Sequence, residues 1–210
     1  RQMCIRDRYY VIAGRGRVLT VSGSGVQEVP LEPGAFCWFT PGTIHRLLND
    51  SGDLEILVVM GNAGLPEAGD MVLTFPDRVL ADTARYAEAA ALPADATTTA
   101  ADDHAVRARK DLAVEGLAEI LAAGPEGLEQ FHRRAAGLVS PRVPDWSRRW
   151  EAGALGAATA TGDHLAALLR GEADHLGDSS VHLLGPPPRE RRYGCCGTLG
   201  VIQPDIGGPT

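Results

Sequence analysis

Between Tyr9 and Met60 the chain is a succession of six short β-type runs, each closed by a turn rich in glycine, proline or aspartate. "YYVIA" runs into Gly14-Arg15-Gly16, "RVLTV" into Ser22-Gly23-Ser24-Gly25, and "VQEVPL" into Glu32-Pro33-Gly34. "AFCWF" follows, then "IHRLL" after Pro41-Gly42, and "LEILVVM" after Asn49-Asp50-Ser51-Gly52-Asp53. β-branched and aromatic residues suit a half-buried pleated surface, and turns at this spacing mark a barrel or sandwich. No connection among the six is long enough to hold a helix. Parallel neighbours need a crossover of about a dozen residues, so these strands must pair antiparallel.

After Met60 the period changes. "MVLTF" (71–75) suits either one more strand or an apolar packing segment. From Pro76 onward Ala, Leu, Glu and Arg dominate at helical spacing. Val106, Ala113, Leu117, Ile120 and Leu121 form one apolar stripe; Leu128, Phe131, Ala135 and Leu138 form another. Pro125, Pro141 and Pro144 punctuate the helices. Residues 91–103 read as a polar linker. The expected fold class is α+β: an antiparallel β-barrel or jelly roll over residues 9–75, a mainly helical region over 76–185, and a Pro/Gly-rich tail over 186–210. The opening "RQMCIRDR", residues 1–8, resembles translated sequencing-adapter sequence, so the native chain is expected to begin differently and the barrel to be truncated at its N-terminus.

The stretch "GAFCWFTPGTIHRLLN" (34–49) carries a more specific signal. Gly34, Gly42, His45 and Asn49 stand at the spacings of G-x5-P-x-G-x2-H-x3-N, the second conserved motif of the cupin superfamily. Thr40 occupies the motif's proline position, with Pro41 one residue later. "YYVIAGRGRV" resembles the end of the first cupin motif, with Gly14 as its closing glycine. The resemblance covers roughly residues 9–60. It implies a small conical barrel holding one small organic ligand, with His45 near its mouth. It further implies a divalent metal (Fe, Mn, Ni or Zn) in metal-binding members, held by this histidine with two histidines and a glutamate from the first motif. Here the glutamate position falls on Asp7, and no histidine precedes it. The chain as given therefore cannot complete that metal set, and no bound metal is expected in it. His45 is expected to point inward, with Tyr10, Arg17, Trp38 and Phe39 as candidate neighbours.

The helical half offers a rival. Glu129-Gln130-Phe131-His132 and Glu172-Ala173-Asp174-His175 both read E-x-x-H, the element that di-metal carboxylate helix bundles use twice. Glu172 and His175 would share the apolar face of Leu165, Leu168 and Leu169, whereas Glu129 would point to solvent. His164 and His175, eleven residues apart, would lie about 16 Å apart on an unbroken helix. His104 and His182 have no ligand-spaced neighbour. Trp146 and Trp150 suit a packing anchor, and Arg142, Arg148 and Arg149 a solvated face. Cys195-Cys196 and Cys37 suit reduced thiols, because four oddly spaced cysteines make no disulfide framework.

With a net charge of −7 and no basic stripe, the chain is not expected to bind nucleic acid. No apolar run approaches the ~20 residues of a membrane span, and a cytoplasmic location is expected. Two function classes follow: a metal-dependent cupin oxygenase or isomerase, and a non-catalytic cupin that binds a small molecule through its barrel, with the helices as an interaction part. Either is expected to form a homodimer, since exposed strand edges favour association.

Overall fold

The computed structural model describes residues 7–60, 65, 68–92, 100–186, 191–194 and 197–202. All six expected strands form: β1 (Asp7–Ala13), β2 (Gly16–Ser22), β3 (Gly25–Leu31), β4 (Phe36–Trp38), β5 (Ile44–Asn49) and β6 (Glu55–Met60). They make two three-stranded antiparallel sheets, ordered β4-β1-β6 and β3-β2-β5. Tyr9 and Val11 from the first sheet and Val18 and Leu31 from the second bury into one core, joined by Phe39. The closed barrel is not found: among the described residues no hydrogen-bonded ladder joins one sheet to the other. Closure requires an edge strand of each sheet to pair, and β4, three residues long, pairs among the described residues only with β1. The first strand begins at Asp7, within the stretch that resembles adapter sequence.

The turns explain why the motif glycines stand where they do. In Thr40–Thr43 the last N–H donates to the first C=O at 3.2 Å, with Pro41 second and Gly42 third at φ +87°. In Glu32–Ala35 the same bond is 2.9 Å, with Pro33 second and Gly34 third at φ +88°. These are type II turns, whose third residue must be left-handed and whose second suits the fixed φ of proline. Asn49 closes the next loop: its Oδ1 accepts from the N–H groups of Gly52 and Leu54 at 2.9 and 3.1 Å.

"MVLTF" does not extend either sheet. It is the apolar packing segment, with Val72, Leu73 and Phe75 buried in a second core beside Leu117, Ile120, Leu128, Phe131, Ala135 and Trp146. Val21 and Ile44 reach this core from the β3-β2-β5 sheet, so one end of that sheet is covered by helix. The helices are α1 (Asp77–Leu80), α2 (Thr83–Ala90), α3 (Ala100–Val139), α4 (Val143–Trp150) and α5 (Gly156–Leu169). Asp82 caps α2 by accepting from the N–H groups of Ala84 and Arg85. The run α3 is two helices meeting at Gly124, whose φ of 62° and ψ of −140° are non-helical and precede Pro125. Arg134 grips Asp77 through two hydrogen bonds of 2.8 and 3.1 Å, and this holds the Asp77 carboxyl below its ordinary pKa.

The chain forms two compact units. The first holds residues 1–91 and 109–157, and the second 92–108 and 158–210. In the second, a short hairpin pairs β7 (Arg192–Tyr193) with β8 (Thr198–Leu199). None of the second unit's residues with a described side chain is buried.

Candidate functional site

His45 lies on β5 opposite Thr20 of β2 and faces the core, 7% exposed. Phe39 stacks on its ring at 4.4 Å between centroids and 6° between planes. Tyr9 approaches edge-on, its hydroxyl 3.1 Å from Nε2, while Nδ1 lies 3.4 Å from the Thr43 carbonyl oxygen. A carbonyl can only accept, so Nδ1 carries the proton, and in the neutral ring the Nε2 lone pair accepts from Tyr9. That lone pair is what a metal would need. Among the described residues no three His, Cys, Asp or Glu side chains come close enough to share an ion. The described residues around His45 therefore do not make up the ligand set that the sequence resemblance implies.

Of its candidate neighbours only Phe39 is one. Tyr10 and Trp38 are 45% and 63% exposed on the opposite side of their sheet. Arg17 is an exposed ion-pair centre: it binds Asp50 by two hydrogen bonds and Glu28 by a third, which raises its pKa and lowers that of Asp50. Tyr9, one residue from Tyr10, is the partner that sequence reading missed. Alternation was visible in "YYVIA", but its parity was not, because nothing local says which face meets a second sheet.

The E-x-x-H pairs do not assemble a centre. Glu129 pairs with Arg133, and His132 Nε2 lies 3.1 Å from the Gly42 carbonyl oxygen. Glu172 lies beyond the end of α5, past Gly171 at φ +75°, and is held by Arg170. The same break corrects the expected separation of His164 and His175. The chain reverses there, and the two rings stack with centroids 4.3 Å apart. Leu165, Leu168 and Leu169, expected as a shared apolar face, are exposed. Arg142 is not simply solvated: it donates to the carbonyls of Ala68 and Gly69 and lies over the buried Trp146 ring. Cys37 is a free thiol whose pKa is pushed up by burial, while Cys4, Cys195 and Cys196 lie outside the described residues.

A concave feature lies elsewhere in the first unit. The tip of the β2–β3 hairpin and the broken part of α3 enclose a half-open cleft of about 350 Å³. Val21 and Val26 line it from the hairpin, Ile120, Leu121 and Leu128 from the helix, with Gly124 and Pro125 at the break. Its polar lining is Ser22, Glu129 and His132. The helix break makes the space, since a straight helix would lay side chains across it. The Gly124-Pro125 pair inside an otherwise helical pattern was the sequence signal for it. No family model, curated protein or solved structure matches this chain. Among the described residues no helix is long and apolar enough to cross a membrane.

Proposed function

We propose that this chain is a non-catalytic, small-molecule-binding protein of cupin type, its two sheets being the facing halves of a jelly roll. The observation that carries the binding part is the apolar cleft, which falls within the 300–1,000 Å³ typical of small-ligand sites and has few polar groups. Its link to the motif supports it: His132, on the cleft wall, donates to the carbonyl of Gly42 in the turn that precedes His45. The non-catalytic part rests on His45, whose ring nitrogens and ring face are engaged by Thr43, Tyr9 and Phe39. Elemental analysis of the purified chain and of His45→Ala tests it. The expected result is far less than one metal ion per chain in both. A stoichiometric metal lost on His45→Ala would restore the enzyme class.

A homodimer belongs to the same proposal, for a specific reason. The outer face of the β4-β1-β6 sheet exposes Tyr10, Ile12, Phe36, Trp38, Leu57 and Val59 together. An isolated apolar side chain on a surface is ordinary; a contiguous set of six across three paired strands marks an interface. Sedimentation velocity is expected to give a dimer at micromolar concentration, and Trp38→Glu a monomer of unchanged circular dichroism. A wild-type monomer under those conditions would remove the dimer from the proposal.

A further inference from the structure

The composition of the cleft narrows its ligand, an inference that rests on the small-molecule reading above. No aromatic ring other than His132 lines it, so a planar heteroaromatic ligand finds no stacking platform. No Lys or Arg lines it, so a phosphate or carboxylate finds no counter-ion, and its one carboxylate, Glu129, is already engaged by Arg133 against a cationic ligand. What remains is an aliphatic wall from Val21, Val26, Ile120, Leu121 and Leu128. Ser22 Oγ is paired with Ser24 at 2.8 Å, which leaves His132 as the directional group. The His132 Nε2–H is committed to the Gly42 carbonyl, which leaves Nδ1 of the neutral ring as a hydrogen-bond acceptor. At ~30 Å³ per water-sized group, the cleft holds roughly a dozen non-hydrogen atoms.

We infer that the cleft between the β2–β3 hairpin and the break in α3 binds a neutral, mainly aliphatic alcohol of about a dozen non-hydrogen atoms, its hydroxyl donating to His132. Neutrality follows from the missing counter-ion, aliphatic character from the missing aromatic wall, and the hydroxyl from the acceptor at Nδ1. Helix and hairpin form both walls, so the ligand holds them together. Binding is therefore expected to raise the melting temperature of the chain.

Isothermal titration calorimetry on the full chain with menthol, its hydroxyl-free analogue menthane, decanoate and 2-naphthol tests this. Val26→Trp serves as the blocking variant, because Val26 is 54% exposed at the cleft rim and a larger side chain there displaces no core residue. The expected result is micromolar binding of menthol, about tenfold weaker for menthane, and about tenfold weaker for menthol on Val26→Trp. Decanoate or 2-naphthol binding more tightly than menthol would overturn the ligand class and leave the small-molecule reading standing. Menthol binding unchanged by Val26→Trp would move the site out of this cleft and overturn the inference. No binding by any of the four would take the small-molecule reading down with it.

Discussion

Gly116→Ala is expected to destabilise the protein by about 3 kcal/mol, at the upper end of overpacking substitutions. Gly116 faces the packing segment at the point where α3 crosses it. A Cβ there would stand 2.5 Å from the Pro76 nitrogen and closer still to the Phe75 carbonyl carbon and the Thr74 oxygen. All three are backbone atoms, so no side chain can rotate away. The segment cannot easily retreat either: Thr74 Oγ1 donates to the Ala113 carbonyl at 2.9 Å, and Phe75 is fully buried. Gly137→Ala, further along the same helical run, is expected to do the reverse. Nothing lies within 4 Å of a Cβ there, and the position is exposed. Relief of the glycine's backbone entropy then stabilises by about 0.8 kcal/mol. Urea denaturation measures both. Opposite shifts of midpoint at constant slope are expected, and equal shifts would mean that the close approach at Gly116 is not a constraint.

Tyr9→Ala should be costlier still, about 4 kcal/mol, in the range of large aromatic truncations in cores. Tyr9 is 0% exposed, packs edge-on against Phe39 at 5.1 Å, and hydrogen-bonds His45 through its hydroxyl. Tyr9→Phe separates the two contributions, because it keeps the ring and removes the hydrogen bond. It is expected to cost only about 1 kcal/mol, the usual net worth of one such bond. If Tyr9→Phe proved as damaging as Tyr9→Ala, the His45 hydrogen bond and not packing would hold this core together. Tyr10→Ala, on the exposed side of the same strand, is the control and should change the stability of the isolated chain little.

Much of the β part was legible from residue order. Strand lengths followed from β-branched and aromatic runs, and both Pro-Gly pairs formed the turns their chemistry favours, with Gly34 and Gly42 at the positive φ that type II turns require. In the helical half, Leu117, Ile120, Leu128, Phe131 and Ala135 were buried as their spacing required. Val106, Ala113 and Leu138 are half-buried, and Leu121, at the edge of its stripe, is exposed and lines the cleft. The second E-x-x-H failed for a local reason. Gly171 takes a left-handed conformation past the end of the helix and before Glu172, so Glu172 and His175 have no helical face to share with the leucines.

The sequence alone therefore determined the strands, their antiparallel sense, the turns and the buried helical stripes, because each depends on periodicity or conformational preference within a few residues. Tertiary structure decided which strands share a sheet, and hence that β1 lies between β4 and β6 while β2 lies between β3 and β5. It also chose Tyr9 over Tyr10 as the partner of His45, filled the space beside that histidine with Phe39, and set Gly116 against the backbone of Thr74–Pro76. Two of these contacts, Tyr9 to His45 and Phe75 to Gly116, join residues more than 30 positions apart. Alternation fixes that neighbouring side chains face opposite ways, but only the opposing sheet or helix fixes which way is inward.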